Sequence, residues 1–307
     1  MHGHAHHHHH AHGDEHDVHH DHAPPGDKRY TVAIALNLGF VALECAAGFW
    51  ANSTALLSDA AHNLSDVLGL ALAGGAAWLA RRGASDKRTY GFSKATVLAA
   101  LANALVLVAA CGGLLVEAGK RLMVPQETAP LVVMAVAAAG VAINGATALL
   151  FLRGRTHDVN ARGAFLHMLA DAGVSAAVIC AGALMWLTHA AWIDPLASIA
   201  VVVVILVGTW GLLRESLDLA LDAAPPGIDV AAVRAFLLEQ PGVAAVHDLH
   251  VWAMSATRAA LTAHIERPAG SDDVFLKVIA GGIKQRFGIA HVTVQVEQAR
   301  RDDCAGC

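Results

Sequence analysis

Six long apolar stretches dominate this chain, at roughly 31–51, 55–80, 95–118, 131–152, 163–187 and 193–213. Each is about 20 residues or more, enough for an α-helix to span a bilayer. Gly and Ala are abundant in them, and small residues permit close helix packing in lipid. The composition agrees. Of 307 residues, 55% are hydrophobic and 15% charged, and the mean hydropathy is +0.48. A soluble domain averages nearer a quarter charged. Disorder, collagen-like repeats and a small disulfide scaffold are therefore excluded, and the pattern argues against an ordinary soluble enzyme.

Basic residues orient the spans, because short cytoplasmic loops carry the excess of Lys and Arg. Lys28 and Arg29 precede the first stretch. Arg81, Arg82, Lys87, Arg88 and Lys94 follow the second, Arg153, Arg155 and Arg162 the fourth, and Arg214 the sixth. The opposite side has only Lys120 and Arg121. Both termini are thus expected on the cytoplasmic side.

The length allows about two domains. Residues 1–29 form a His-rich, low-complexity tail that cannot bury a core and is expected to be disordered. Of the chain's 20 histidines, 12 lie within residues 1–22. Such tracts bind metal by composition. A run of five His at 6–10 also resembles an expression tag, although the irregular His/Asp/Ala pattern through residue 22 argues against a plain one. Residues 30–214 form the membrane domain. From about 215 the pattern changes, with Pro225-Pro226-Gly227 closing a linker. Residues 229–239 read as an amphipathic helix and 243–253 and 257–266 as strands. A second helix is expected at 272–287, and 291–297 alternates as a third strand. The expected fold is a membrane all-α domain of six helices, followed over 215–300 by an α+β domain in the order α-β-β-α-β. Residues 301–307 are a C-terminal tail. Net charge is -5, so nucleic acid is not an expected partner. Cys45, Cys111 and Cys180 sit in apolar stretches, where Cys behaves as a small hydrophobe. The sequence shows no disulfide framework and no secretory signal.

Ionisable residues within a span are costly and mark a functional site by default. The second stretch holds Asp59, His62 and Asp66; the fifth holds His167 and Asp171. His62 and Asp66 are spaced i, i+4 and share a helix face. His167 and Asp171 repeat the spacing. Two such pairs facing one another offer four N/O ligands, which suits tetrahedral Zn²⁺. Two carboxylates also neutralise a divalent charge. One pair alone reads equally as a polar tie between helices; two identical pairs favour the metal.

The segments Leu57-Ser58-Asp59-Ala60-Ala61-His62-Asn63-Leu64-Ser65-Asp66 and His167-Met168-Leu169-Ala170-Asp171 resemble the cation diffusion facilitator family. So do Val246-His247-Asp248-Leu249-His250-Val251-Trp252 and His291-Val292-Thr293-Val294-Gln295-Val296-Glu297. The likeness covers about residues 29–298. It implies a homodimer with six membrane helices and a metallochaperone-like cytoplasmic domain, in a bacterial inner membrane. It also implies efflux of Zn²⁺, with Cd²⁺ or Co²⁺ as alternatives, in exchange for H⁺. By the resemblance, His62, Asp66, His167 and Asp171 form the transport site. Metal binding needs neutral His and ionised Asp, so it displaces protons. Alternating access then requires the site to face each side in turn.

In the cytoplasmic domain the resemblance implies regulatory Zn²⁺ at His247, His264 and Glu297. His250 and His291 read as further ligands or as surface and packing residues. Gln295 stands where some relatives have His, which argues against a complete two-metal cluster. Cys304 and Cys307 form a C-x-x-C pair that reads as half of a zinc site, a redox pair or an idle tail. The loop from Arg81 to Lys94 has no His or Cys, so no metal site is expected there. Asp59 reads as supporting the metal site or its access, or as helix packing. Asn37, Glu44 and Asn144 read as cavity lining, His157-Asp158 as solvated loop, His189 as solvated, and Asp194-Pro195 as the start of the sixth helix. Two rival functions are a membrane-embedded zinc enzyme and a metal sensor. Four ligands leave no open position for the enzyme's water, and no His-Glu-x-x-His motif occurs.

Overall fold

The computed structural model describes residues 28–152 and 159–299. The N-terminal His tract, His157, Asp158, Cys304 and Cys307 lie outside the described residues, as do most of the 1–29 tail and all of 301–307. Six helices come first: α1 (Lys28–Trp50), α2 (Thr54–Ala80), α3 (Ala95–Met123), α4 (Pro130–Phe151), α5 (Val159–Thr188) and α6 (Ile193–Ala220). Helices α2 to α6 each contain a segment long and apolar enough to cross a membrane, and Ala35–Trp50 of α1 forms a shorter apolar one. The chain is therefore an integral membrane protein by length and composition of its helices.

Local signals set the helix ends. Ser53 caps α2, its side chain accepting from the Leu56 N–H. Pro130 opens α4, where its missing N–H costs nothing. Helix α6 runs on to Ala220, past the apolar stretch that ends near 213, because Leu213 to Leu219 continues with helix-forming residues.

Helix α4 packs along α5 and α3 along α6, while α2 lies against α1, α3 and α6. Phe40, Leu56, Leu107, Val133, Val178 and Val202 are buried where the helices meet. Small residues set the spacing. A Cβ on Gly140 would stand 2.6 Å from Phe40 Cζ and 2.8 Å from Ser175 Oγ, so α4 meets α1 and α5 there only because it carries glycine. Outward faces remain apolar, as with Leu98, Leu105 and Val106 on α3 and Val203, Val204 and Val207 on α6. Lipid is the solvent that suits them.

The second unit comprises α7 (Val230–Leu238), β1 (Ala245–Ala253), β2 (Ala259–Glu266), α8 (Asp273–Phe287) and β3 (His291–Glu297), in the expected order. Asp229 and Asp272 cap the two helices, and Gly288 ends α8 in the left-handed region at φ 69°. The sheet order is β1-β2-β3, antiparallel then parallel. Val233, Leu237, Leu261, Ile265, Ile279 and Ile283 form its own core. The opposite sheet face carries the histidines.

The two units touch through the loop before α3. Arg258 donates to Ser93 Oγ at 2.6 Å, and the Ala256 N–H donates to Thr96 Oγ1 at 3.1 Å. Lys94 pairs with Asp222, and Val97, Leu219 and Ala253 bury a small apolar contact beneath them.

Candidate metal centres

In the membrane domain the two i, i+4 pairs face each other. His62 Nε2 lies 3.3 Å from Asp171 Oδ1, and His167 Nε2 lies 3.2 Å from Asp66 Oδ2. Within each helix the separations are longer, 3.8 Å for His62–Asp66 and 3.7 Å for His167–Asp171. The closer contacts run crosswise between α2 and α5, as antiparallel helices require. The two rings stand edge to face with centroids 6.1 Å apart. One ligand atom each from Asp66, His167 and Asp171 falls within 4.8 Å of the others. Asp66 Oδ2 and Asp171 Oδ2 are buried, with His167 Nε2 at 3.2 and 3.7 Å in place of a well-aligned donor. Buried acceptors of this kind cost free energy unless a cation or donor meets them, so the donor set fits a divalent ion.

The four side chains differ in exposure. Asp171 is 3% exposed and His62 19%, against 32% for Asp66 and 42% for His167. Accessibility therefore rises toward the end of α2 and the start of α5.

Polar residues one turn away bind the helices to one another. Ser175 on α5 donates to Asp59 Oδ2 at 3.2 Å, and Asn63 on α2 donates to Glu44 Oε2 on α1 at 3.0 Å. Asp59 and Glu44 are fully buried, so Asp59 makes the helix-to-helix contact. Asn37 donates to Met168 Sδ at 3.7 Å. Asn144 is buried with neither amide atom paired.

Asp194 does begin α6, but it does more than the sequence suggests. It is buried and accepts from Ser53 Oγ at 2.5 Å, Thr54 N at 2.6 Å and Thr54 Oγ1 at 2.7 Å. It thus caps α2, the helix that carries His62 and Asp66. A partner 140 residues away leaves no local signal.

The second cluster lies on the sheet. His247 and His264 are directly paired across β1 and β2, with rings 5.3 Å apart. His247 Nε2 lies 3.2 Å from Glu297 Oε2, and His264 Nδ1 lies 3.2 Å from Glu297 Oε1. Glu297 is buried, and all three offer ligand atoms within 4.8 Å of one another. Gln295 donates to Glu297 Oε1 at 2.8 Å. His250 stands apart from this trio, 2.8 Å from Asp248 Oδ1. His291 is not brought to it either: at the far end of β3, its ring meets Tyr90 edge-on at 5.6 Å.

A helical membrane domain followed by a small α+β domain, each with a His/carboxylate cluster, defines an integral membrane protein of the metal-handling kind. The chain belongs to the cation efflux family, the cation diffusion facilitators, whose members are metal transporters and not enzymes. Residues 30–219 match the cation efflux transmembrane domain, and residues 225–299 match the cation efflux protein, cytoplasmic domain.

Among similar proteins, the cation efflux system protein CzcD of Alcaligenes sp. is 34% identical over 282 residues, covering 91% of this chain and 89% of the relative. The zinc transporter ZitB of Escherichia coli is 34% identical over 274 residues, covering 88% and 87%. The cadmium, cobalt and zinc/H(+)-K(+) antiporter of Bacillus subtilis is 30% identical over 285 residues, covering 91% of each. The solved metal-bound C-terminal domain of the CzcD transporter from Cuprividus metallidurans is 34% identical, with TM-score 0.20. It matches over 23% of this chain and 99% of that one.

Proposed function

We propose that this protein exports Zn²⁺ from the cytoplasm in exchange for protons, through His62, Asp66, His167 and Asp171. The observation that carries the reading is the crosswise approach of the four side chains, at 3.2 and 3.3 Å between helices. Two imidazoles and two carboxylates suit Zn²⁺, and imidazole favours it over Mn²⁺. Cd²⁺ and Co²⁺ are further cargoes of the same ligand chemistry, consistent with the similarity to the cadmium, cobalt and zinc/H(+)-K(+) antiporter.

Exchange follows from acid–base chemistry. The cation requires neutral imidazoles and ionised carboxylates, so loading expels protons into the cytoplasm. When the site faces the other side, protons return to those groups and the cation leaves. Exposure is greatest at Asp66 and His167, toward the end of the bundle that carries the cytoplasmic domain. We read this as the state that loads from the cytoplasm, with both termini on that side. Alternating access then moves α2 and α5 about the fixed ligand set.

In the same reading, His247, His264 and Glu297 take a regulatory Zn²⁺, and the protein works as a homodimer in a bacterial inner membrane. The match to the cation efflux cytoplasmic domain supports the dimer.

The test is ⁶⁵Zn uptake into inside-out proteoliposomes with an acidic lumen. Uptake is expected to collapse when the proton gradient is dissipated, and to be lost in Asp66→Ala. Folded wild-type protein that moves none of Zn²⁺, Cd²⁺, Co²⁺ or Mn²⁺ down this gradient would overturn it.

A further inference from the structure

The sheet cluster contains an irregularity that alternation alone does not predict. His247 pairs with His264 and His250 with Thr262, so β1 has one extra residue between these pairs. The extra residue forms a β-bulge, and Asp248 there has φ 49°. Few residues other than glycine adopt the left-handed region, and Asp is among those that tolerate it. In a regular strand Asp248 would point to the face opposite His247. In the bulge its carboxylate instead reaches the ring of His264, with Oδ2 3.4 Å from Nε2. Its other oxygen lies 2.8 Å from His250 Nε2.

The two ring nitrogens of His264 therefore meet different groups. Nδ1 faces Glu297 and the ligand cluster, and Nε2 faces Asp248. A neutral imidazole has one N–H donor and one lone pair, and an ionised carboxylate only accepts. In the metal-free site the two carboxylates compete for the ring proton. Once a cation lies between Nδ1 and Glu297, the Asp248 carboxylate holds the proton on Nε2 and the Nδ1 lone pair is free for the ion. The Asp248 carboxylate also makes Nδ1 a stronger donor to a cation.

We propose that Asp248 is a positioning residue for the cytoplasmic metal site: it fixes the Nε2–H tautomer of His264, so that His264 ligates through Nδ1 beside His247 and Glu297. His250 holds the other carboxylate oxygen and so orients Asp248. The proposal rests on the reading of this trio as a cation site, and it is independent of transport through the membrane cluster.

The test uses full-length protein with ¹⁵N-labelled histidine, the His264 signals being identified by their loss in His264→Gln. Free Zn²⁺ is set with a chelator buffer and the His264 signal is followed. In the wild type, Zn²⁺ is expected to shift Nδ1 while Nε2 keeps its proton. Asp248→Gly retains the left-handed backbone without the carboxylate. It is expected to raise the free Zn²⁺ at half-saturation by about 10- to 100-fold, and to shift the metal-free ring toward the Nδ1–H tautomer that Glu297 favours. Asp248→Asn, which still accepts through its amide oxygen, is expected to keep the tautomer with a smaller loss. Half-saturation and tautomer unchanged in Asp248→Gly would overturn the proposal, because the residue would then only shape the bulge. Ligation through Nε2 would overturn it too, placing the ion beside Asp248 instead. If the His264 signal does not respond to Zn²⁺ at all, the cation site itself fails, and that outcome is separate from either of these.

Discussion

Asp194 at the start of α6 accepts the backbone N–H of Thr54 at 2.6 Å and so closes the first turn of α2 from another helix. A carboxylate at a helix N-terminus satisfies unpaired N–H groups and favours the positive end of the helix dipole. Since α2 carries His62 and Asp66, this contact sets where half of the membrane cluster stands. Ser58 and Ser198, with oxygens 2.7 Å apart, extend the same tie one turn deeper.

Asp194→Ala is expected to leave the Thr54 N–H and two hydroxyls buried without their acceptor. The cost is about 3 kcal/mol, by the penalty for stranding buried donors of a charged acceptor. Thermal unfolding in detergent should show a clear drop in Tm. Asp194→Asn, which keeps one acceptor oxygen, should lose less. An unchanged Tm in Asp194→Ala would show that the cap is dispensable.

Zn²⁺ binding at the membrane cluster should weaken as pH falls. Protons compete for the imidazoles and carboxylates that ligate the ion, so acid favours the empty, protonated site and alkali the loaded one. Competition titrations at a series of pH values should show apparent affinity rising with pH, with proton release on binding. His62→Ala and Asp171→Ala should remove that component. A pH-independent affinity would argue against ligation by these groups.

Replacing one imidazole by a carboxylate should change which metal is preferred. His167→Asp keeps four ligand positions but makes the set harder, so transport of Mn²⁺ relative to Zn²⁺ is expected to rise. Paired flux assays for the two ions report the ratio directly. The same ratio in variant and wild type would remove His167 from the selectivity argument.

Gly140→Ala should destabilise the bundle by about 1–3 kcal/mol, the usual cost of overpacking. Its Cβ would collide with Phe40 Cζ and Ser175 Oγ, and the shift would strain the Ser175–Asp59 hydrogen bond. Gly74→Ala meets nothing within 4 Å and serves as the control. Equal loss of Tm in both variants would mean that helix spacing at Gly140 is not the cause.

Much of this protein follows from its sequence alone. Apolar length fixed the helices, because a bilayer crossing needs about 20 apolar residues whatever they pack against. The i, i+4 spacing of His62 with Asp66, and of His167 with Asp171, put each pair on one face, because helix periodicity is local. Alternation in 291–297 likewise placed Glu297 in phase with Gln295.

Tertiary structure decided the rest. That α2 and α5 face one another, that Asp194 caps α2 and that Ser175 meets Asp59 all join residues more than 100 positions apart. Such contacts arise from helix packing, on which local periodicity is silent. The bulge at Asp248 was hidden for a different reason. It breaks the period of two, and only the register of β1 against β2 shows that His247 and His250 share a face with His264. The sequence could therefore name the residues of each cluster. Only the packed chain could say which atoms approach, and which neighbours hold them there.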